Sequence, residues 1–457
     1  MDMRPNSDEA RDIAYHFHAY TNADSHAEIG PLIIDEGEGI YVTDTHGNRY
    51  IEGMSGLWSV AVGFNEQRLV DVASQQMQKL PYYHNFSHRS HGPAIDLAEK
   101  LIEIAPVPMS KVFYTNSGSE ANDTIVKMVW YRSNALGKPE KKKIISRLRG
   151  YHGVTVASAS MTGLPYNHRS FDLPLDGILH TTCPHYWREG HDGETEEAFA
   201  SRCAQDLDDM IQAEGPDTVA AFIAEPVMGA GGVVVPPATY WQKIQAVLAK
   251  YDILLIADEV ICGFGRTGNM FGSTTFDIKP DILTMSKQIT SSYFPFSAFM
   301  INDRVYEPIA EESGRIGVLG HGYTGGGHPV GAAVALENIK IIEELDLVAN
   351  AAERGVELQA GLAELTSHPL VGEARGIGLI GALELVAPEG KKDEFVPGKL
   401  GAHMNAIMLR NGLISRNMMD AMAFCPPLIV GANELGEIIR ITTKSLEELA
   451  AEIDGTA

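Results

Sequence analysis

Two charged residues, Asp258 and Lys287, each follow a strongly apolar run of the sequence. Asp258 ends the run DILLIAD, and Lys287, 29 residues later, ends DILTMSK. Both runs have the length and composition of buried strands, so Asp258 would be a costly buried anion unless a cation lay against it. Because the carboxyl ends of neighbouring parallel strands lie at one edge of a sheet, the two side chains can flank a single ligand.

A carboxylate and a lysine on either side of a small ring meet the requirements of pyridoxal 5'-phosphate (PLP). The carboxylate keeps the ring nitrogen protonated, which makes the ring an electron sink, and the lysine bonds to the aldehyde carbon. The pair Asp258 and Lys287 therefore predicts a PLP site.

A phosphate group also needs hydrogen-bond donors, and the segment NSGSEAND can supply them. It reads as a small-residue turn after a strand, followed by a helix predicted to begin near Glu120. The N–H groups of Gly118 and Ser119, with the Ser119 hydroxyl, would then face an anion. The same residue types also suit an ordinary helix cap. In RGYHGVTV, the Tyr151 ring could stack on a cofactor opposite Val260, although a lone tyrosine is more often part of the core.

The composition shows what kind of chain carries these residues. It has 457 residues, of which 44% are hydrophobic and 21% charged, and a formal net charge of −24. This length predicts two domains, or one large domain with a smaller one interleaved. The acidic balance argues against nucleic acid or an anionic membrane surface as a partner, since both favour a basic face.

The cysteines and the lengths of the apolar runs indicate the cellular compartment in which the protein is expected. The four cysteines contain no C-x-x-C pair, so neither a zinc site nor a disulfide framework is predicted. The segment MDMRPNSDEARD does not fit a secretory signal, and no apolar run approaches the roughly 18 residues of a membrane span. We therefore expect a cytoplasmic protein without a metal or a membrane partner. The cysteines are Cys183, Cys203, Cys262 and Cys425.

Strand-like and helical patterns alternate through the middle of the chain. Runs typical of buried strands are KVFYT, KKKIISRL, VAAFIAEPV, DILLIADEV and DILTMSK, and typical helical patterns are AIDLAEKLIEI and ATYWQKIQAVLAKY. This alternation predicts an α/β fold with a mostly parallel sheet covered by helices on both faces.

The two ends of the chain have other patterns. GIYVTDTHGNRYIEG predicts a hairpin. After about residue 330 we expect long helices, a GIGLIGALELV strand and a final helix in EIIRITTKSLEELAAEI. We predict a large domain at residues 76–330 and a smaller, discontinuous α+β domain formed by residues 1–75 and 331–457.

Three motifs that resemble other sites do not fit their surroundings. A G-x-G-x-x-G pattern is followed by strand-like ALELV where a dinucleotide site needs a helix. ILLIADEV resembles the acidic strand of an ATPase, but the chain has no G-x-x-x-x-G-K-[ST]. Three histidines between prolines have no carboxylate to complete a metal site. The residues are Gly376, Gly378 and Gly381, and His84, His88 and His91.

Over nearly its whole length the sequence resembles the class III pyridoxal-phosphate aminotransferases, and within them the ω-amine:pyruvate transaminases. The motifs in the family's order and spacing are NSGSEAND, YHG, AEPVMGAGG, ADEVICGFGRTG, MSK and HGYTGGGHP. The resemblance implies PLP-dependent transferase fold type I, which is the aspartate aminotransferase-like fold.

The resemblance also implies roles for individual residues. Lys287 would bind the cofactor and shuttle protons, and Asp258 would pair with the ring nitrogen. Thr324 would reach the phosphate of the neighbouring subunit, so a homodimer with shared sites would be the minimal active unit, with a tetramer left open. The cofactor-binding residues it implies are Gly118, Ser119, Tyr151, Glu225, Asp258, Val260, Lys287 and Thr324.

For the substrate, the resemblance implies an apolar pocket and one mobile arginine. Arg416 would hold the carboxylate of pyruvate or alanine and swing away from an apolar amine. Gln288 stands where relatives usually carry Gly or Ala, so its side chain would either alter the lysine geometry or add a hydrogen bond. The pocket walls it implies are Tyr20, Leu57, Trp58, Phe86, Val154 and Ala230.

The expected reaction moves an amino group from an amine or ω-amino acid donor to pyruvate, giving alanine, by a ping-pong mechanism. Three alternatives stay open at this point. They are a different ω-amino acid and keto acid pair, aminomutase or decarboxylase chemistry on the same fold, and a non-enzymatic relative with an inactive site.

Overall fold

The computed structural model describes residue 4, residues 6–388 and residues 396–455. In chain order, the strands of this part are β1 (Ile34–Glu38), β2 (Tyr41–Asp44), β3 (Arg49–Glu52), β4 (Lys111–Thr115), β5 (Lys143–Arg147), β6 (Ile178–Thr181), β7 (Val219–Ala224), β8 (Leu254–Asp258), β9 (Ile282–Met285), β10 (Ser297–Ile301), β11 (Val371–Ile377), β12 (Ile380–Leu385), β13 (Leu413–Ile414), β14 (Arg416–Met418) and β15 (Ala421–Phe424).

The helices follow the same convention. They are α1 (Asp8–Tyr15), α2 (Ala23–Ile29), α3 (Ser55–Trp58), α4 (Gln67–Lys79), α5 (Gly92–Glu103), α6 (Gly118–Ala135), α7 (Val156–Met161), α8 (Tyr186–Glu189), α9 (Glu196–Glu214), α10 (Tyr240–Lys250), α11 (Gly272–Thr275), α12 (Asp303–Ile316), α13 (Pro329–Glu344), α14 (Leu347–Glu364), α15 (Lys399–Arg410) and α16 (Ala432–Asp454). Within the residues described, no helix combines the length and apolar character needed to cross a membrane.

The central sheet has the strand order β4-β10-β9-β8-β7-β5-β6. Strand β10 runs antiparallel to both of its neighbours, and the pairs from β9 to β6 are all parallel. This confirms the predicted α/β class with a mostly parallel sheet. Asp258 pairs in register with Thr284 of β9, which brings the carboxyl ends of β8 and β9 side by side.

The strands at the centre of this sheet are buried on both faces, which explains why they read as continuous apolar runs. In β8, Ile256 packs in a cluster with Ile125 of α6, whereas the next residue back, Leu255, packs in a different cluster with Leu207 of α9 and Ile244 of α10. Because successive side chains of a strand point to opposite faces, these helices cover opposite faces of the sheet.

Two smaller sheets use the ends of the chain. One has the order β1-β2-β3-β13, and its β2–β3 hairpin confirms the predicted turn at HGN. Its last strand pairs Leu413 with Ile51, so segments far apart in sequence share a sheet. The other has the order β11-β12-β15-β14. The domain boundaries at residues 75 and 330 stay predictions.

The segment GIGLIGALELV was predicted as one strand, and this was wrong. It turns after β11 and returns as β12, and the two strands pair antiparallel. Gly378 lies in the turn with φ +56°, and a Cβ there would lie 2.5 Å from the Arg266 carbonyl oxygen. The tight turn therefore needs a glycine at this position.

Candidate active site

A cavity of about 120 Å³ opens at the carboxyl ends of β8 and β9. It brings together all the cofactor-binding residues implied for one chain except Thr324. Its lining residues are Gly118, Ser119, Tyr151, His152, Gly153, Glu225, Asp258, Val260, Ile261, Ser286 and Lys287.

Asp258 is buried at the end of β8, and three donors hold its carboxylate. His152 Nδ1 lies 2.8 Å from Oδ2, Asn122 Nδ2 donates to the same oxygen at 2.9 Å, and the Val260 N–H donates to Oδ1 at 3.1 Å. Burial alone would raise the pKa of Asp258, but His152 and the other donors outweigh it and lower the pKa. Asp258 is therefore ready to face a protonated ring nitrogen as an anion.

His152 and Asn122 were missed by the sequence analysis, although both belong to motifs that it quoted. His152 follows Tyr151 in YHG, and Asn122 is the asparagine near the end of NSGSEAND. Asn122 also accepts a hydrogen bond from the Thr284 hydroxyl at 3.0 Å, so it ties Asp258 to β9. Their position in family motifs was the available signal, because nothing in their local spacing points to Asp258.

Lys287 follows β9 and begins a short 3-10 turn, Lys287–Ile289. Its φ of +47° lies in the left-handed region, which is uncommon for a residue with a side chain. Burial lowers the pKa of the Lys287 ammonium, and the nearby carboxylates Asp258 and Glu225 only partly offset this effect. The neutral amine is therefore available at a lower pH than in an ordinary lysine.

The side chain of Gln288 is buried and does not line the cavity. Its Nε2 donates to the carbonyl oxygens of Ile261 and Gly263, each at 2.8 Å, and its Oε1 accepts from Arg266 Nη2 at 3.2 Å. Of the two effects left open for Gln288, the structure shows added hydrogen bonds. They anchor the Lys287 turn to the segment that follows β8.

The start of α6 has the donors that a phosphate requires. The helix begins at Gly118, two residues before the predicted start, and the Ser117 hydroxyl caps it by accepting the Glu120 N–H at 3.2 Å. Among the residues described, the N–H groups of Gly118 and Ser119 have no acceptor. A Cβ at Gly118 would lie 3.2 Å from Val260 Cγ2, so glycine keeps this end of the cavity open. Free N–H groups at the positive end of a helix suit a phosphate.

Glu225 lies in the cavity, but both of its carboxylate oxygens are already in use. Oε1 accepts the Tyr151 N–H at 3.0 Å and Oε2 accepts the Gly229 N–H at 2.9 Å. Burial raises the pKa of Glu225. Glu225 therefore positions the backbone of Tyr151, whose ring forms a wall of the cavity.

Tyr20 and Arg416 are not among the residues that line the Lys287 cavity, and their contact with substrate stays a prediction. Asn167 Nδ2 donates to the Tyr20 hydroxyl at 2.7 Å, and the Tyr20 and Tyr166 rings meet edge to face. Arg416, in β14, is close enough to influence both Tyr151 and Lys287 electrostatically. Within the described part of the chain, its guanidinium has no hydrogen-bond or ion-pair partner.

Three further residues implied as pocket walls have side chains at least partly open to solvent. Leu57 and Val154 are 57% and 55% exposed, and Ala230 is partly exposed. The Val154 N–H donates to the Ser119 hydroxyl at 3.1 Å, which places Val154 at the phosphate end.

Trp58 and Phe86 do not line the Lys287 cavity of their own chain. Trp58 is only 2% exposed and packs in an apolar cluster that includes Val227 and Ile261. Phe86 instead lines a separate cavity of about 980 Å³. Ile261 itself lines the Lys287 cavity, so Trp58 lies directly behind its wall. The roles of Trp58 and Phe86 in the substrate pocket stay predictions.

Thr324 is exposed and also lies outside the Lys287 cavity. The Tyr82 hydroxyl donates to its carbonyl oxygen at 2.9 Å. Its hydroxyl is thus not a ligand of the cavity in its own chain, which leaves the neighbouring subunit's phosphate as the target that the resemblance implies.

The residues of the cavity fit PLP. A buried anion, an amine of lowered pKa and two free N–H groups at a helix start lie around one small space. These are the partners for the cofactor's ring nitrogen, aldehyde carbon and phosphate.

Comparisons with known proteins agree with this geometry. The family Aminotransferase class-III matches residues 21–446. The chain is 50% identical over 429 residues to gamma aminobutyrate transaminase 1, mitochondrial, of Solanum lycopersicum, covering 93% of this chain and 83% of that protein.

Two solved structures are similar to this chain in both sequence and fold. The omega transaminase from Pseudomonas jessenii in complex with PMP is 60% identical with a TM-score of 0.96, covering 99% of this chain and 100% of that one. A transaminase with L-Ala is 66% identical with a TM-score of 0.91, covering 92% of this chain and all of the other (100%).

Proposed function

Because the chain belongs to the class III aminotransferases and uses PLP, we propose that it transfers the amino group of an amine to pyruvate, giving alanine. The observation that carries this proposal is Arg416, a cation beside Tyr151 without a partner among the residues described. A guanidinium fork is suited to binding a carboxylate in two places. Pyruvate and alanine each carry one carboxylate, whereas a simple amine carries none.

When bound, PLP withdraws electrons from the carbon that bears the transferred amino group. The rest depends on residues of this chain. Asp258 would hold the proton on the ring nitrogen, and the start of α6 would bind the phosphate. Lys287 would hold the cofactor before substrate binds, and its neutral amine would then carry a proton from the substrate carbon to the cofactor carbon.

Arg416→Ala provides the test. It should remove a charge-assisted hydrogen bond from pyruvate and alanine, at a cost on the order of 1.5 to 3 kcal/mol, or roughly 10- to 150-fold in kcat/KM. The half-reaction with an uncharged donor, such as a phenyl-substituted ethylamine, should change far less. The two half-reactions can be followed separately by stopped-flow absorbance of the cofactor.

Arg440→Ala is a matched control, because Arg440 is exposed and, among the residues described, pairs with Glu437 and not with a residue of the cavity. It should leave both half-reactions unchanged. Suppose that Arg416→Ala keeps its fold and loses kcat/KM equally with the keto acid and with the uncharged amine. Arg416 would then not bind the carboxylate selectively.

A second candidate donor is an ω-amino acid such as γ-aminobutyrate, which the 50% identity to a γ-aminobutyrate transaminase favours. Such a donor brings its own carboxylate, so Arg416→Ala would weaken both half-reactions with it. A panel of amine and ω-amino acid donors with pyruvate as acceptor separates the two candidates. Formation of the aminated cofactor from the amine alone distinguishes transamination from aminomutase or decarboxylase chemistry.

We also propose a homodimer in which each cofactor site is shared. Support comes from Thr324, which is exposed and lies outside its own chain's cavity, and from Phe86, which lines the separate large cavity. The cytoplasmic location likewise remains a proposal, and the free, buried state of its four cysteines fits a reducing compartment.

If each site is shared, a mixture of two defective variants should be more active than the average of the two. Thr324→Ala should weaken PLP retention without lowering the melting temperature, because its side chain is exposed in its own subunit. Mixed with Lys287→Ala, it should form hybrid dimers with one fully native site and one doubly defective site. Mixing should therefore raise activity at limiting PLP above the average of the two parents. Activity that never exceeds this average would rule out sharing through Thr324.

A further inference from the structure

Four side chains converge near the start of the chain, where α1 ends and α2 follows. Asp12 lies in α1, and its carboxylate has three imidazole neighbours. His16 Nδ1 lies 3.0 Å from Oδ1, while His18 Nε2 and His26 Nε2 lie 2.7 Å and 3.1 Å from Oδ2. We call these four residues the N-terminal cluster.

Three imidazoles around one carboxylate can be held by hydrogen bonds, but they are also the residue types that bind a transition-metal ion. The His16 and His18 ring centres are 4.3 Å apart, as are those of His18 and His26. If all three rings were protonated, three close cations would share one carboxylate, and the repulsion among them would be only partly balanced. Neutral rings in the other tautomer would turn nitrogen lone pairs toward the same space, and together with the carboxylate these form a ligand set for a metal ion.

We propose that the N-terminal cluster binds a divalent transition-metal ion, with Zn²⁺ the best match. The ligand atoms of Asp12, His16 and His18 all lie within 4.8 Å of one another. Tetrahedral Zn²⁺ holds nitrogen and oxygen ligands at about 2.0 to 2.2 Å, which separates them by roughly 3.3 Å. Because the His16 ring is exposed, it can rotate to bring its nitrogen to this separation from the other ligand atoms. Imidazole with one carboxylate favours zinc-like ions over Mg²⁺ or Ca²⁺.

His26 is the candidate for the fourth position, since its Nε2 already lies beside the same carboxylate oxygen. Otherwise a water completes the coordination. The sequence analysis expected no metal and did not consider these four residues together, and His26 comes from the next helix. Only the fold brings the four side chains together.

A second cluster of one histidine and two glutamates differs from the N-terminal cluster in its ion pairs. His185, Glu373 and Glu384 also lie close enough to share an ion. However, Arg375 pairs with both glutamates and Arg188 pairs with Glu384. Those carboxylates are already neutralised by arginine, whereas no lysine or arginine pairs with Asp12 among the residues described.

The position of the cluster gives a metal ion a structural effect. The ion would link the end of α1 to the segment that follows it, and through His26 to α2. Between them lies Tyr20, which has a φ of +52° and whose hydroxyl accepts a hydrogen bond from Asn167 Nδ2 at 2.7 Å. An ion in the cluster would therefore hold the turn that presents Tyr20.

Zinc binding can be measured by isothermal titration of the holoenzyme with Zn²⁺ in a non-coordinating buffer, without amine. Wild type should bind on the order of one ion per chain. His18→Gln should weaken this binding at least about tenfold, and the Asp12→Asn, His18→Gln double variant should abolish it. His191→Gln is the control, because His191 is an exposed histidine elsewhere. Circular dichroism melting checks that each variant is folded.

Hydrogen exchange gives a readout that does not depend on activity. Zn²⁺ should slow exchange in residues 8–29 of wild type and His191→Gln, and not in His18→Gln. Equal Zn²⁺ affinity in wild type and the folded double variant would overturn the metal site. Binding without added protection of residues 8–29 would overturn the proposed hold on the Tyr20 turn.

Discussion

Lys287→Ala should lower kcat by about 10⁴-fold, which is the upper end of what a positioned proton-transfer group contributes. The reason is the place of Lys287 in the cavity, where burial lowers the pKa of its ammonium and so favours the neutral amine that proton transfer needs. Alanine offers neither a bond to the cofactor nor a proton carrier. The measurement is steady-state turnover with an amine donor and pyruvate at saturating PLP.

The covalent role of Lys287 can be tested independently of turnover. After borohydride reduction, intact-mass analysis should find the cofactor attached to wild type and not to Lys287→Ala. Lys279→Ala serves as the control, because Lys279 is exposed and pairs with Asp277 away from the cavity. A reduced adduct of the same mass on Lys287→Ala would mean that another amine holds the cofactor.

Asp258→Asn should lower kcat on the order of 10²- to 10³-fold, as expected for loss of one preorganised electrostatic contact. A neutral amide cannot keep the ring nitrogen protonated, so the electron sink weakens. The fold should survive, because the new side chain has almost the same shape. Turnover should be measured at saturating PLP, so that weaker cofactor binding does not hide the chemical effect.

Because three donors contact Asp258, the Asp258→Asn change should also lower the free energy of unfolding. His152 can change tautomer and accept from the amide, but one N–H of Asn122 Nδ2 then loses its acceptor, while the other still donates to the His152 carbonyl oxygen at 2.8 Å. One unsatisfied buried group should cost about 1 to 3 kcal/mol of unfolding free energy. Asn122→Asp is a useful comparison, because it keeps Asp258 but places a second carboxylate against it. Near-normal kcat in Asp258→Asn would refute the role of this carboxylate in the chemistry.

Local patterns in the sequence predicted five of the seven strands of the central sheet, and β6 and β10 were missed. The runs that become β5, β7, β8 and β9 are apolar because parallel strands are covered on both faces, whereas β4 is an edge strand that pairs antiparallel with β10. The same logic failed for GIGLIGALELV, where the turn at Gly378 depends on the Arg266 backbone packed against it. An apolar run shows that a segment is buried, but it does not show where the chain reverses.

In the candidate site too, some features could be predicted from the sequence and others depend on the fold. The placement of Asp258 and Lys287 at two strand ends follows from their apolar segments and the rule for parallel sheets, so the sequence was enough to predict that they meet. The direction of Gln288, the burial of Trp58 and the separation of Phe86 from the cavity depend on contacts with residues that no local pattern connects to them.

By itself the sequence determined the chemistry, because a strand-end carboxylate, a strand-end lysine and a small-residue helix start are each encoded in a few adjacent residues. Only the tertiary structure decided how that chemistry is tuned. The partners of Asp258 come from residues 136 and 106 positions away, Asn122 and His152. The N-terminal cluster likewise joins Asp12 to His26, 14 positions later, across a turn between two helices. Hydrogen bonds and burial act over a few ångströms in space, so these contacts exist only once the chain has folded.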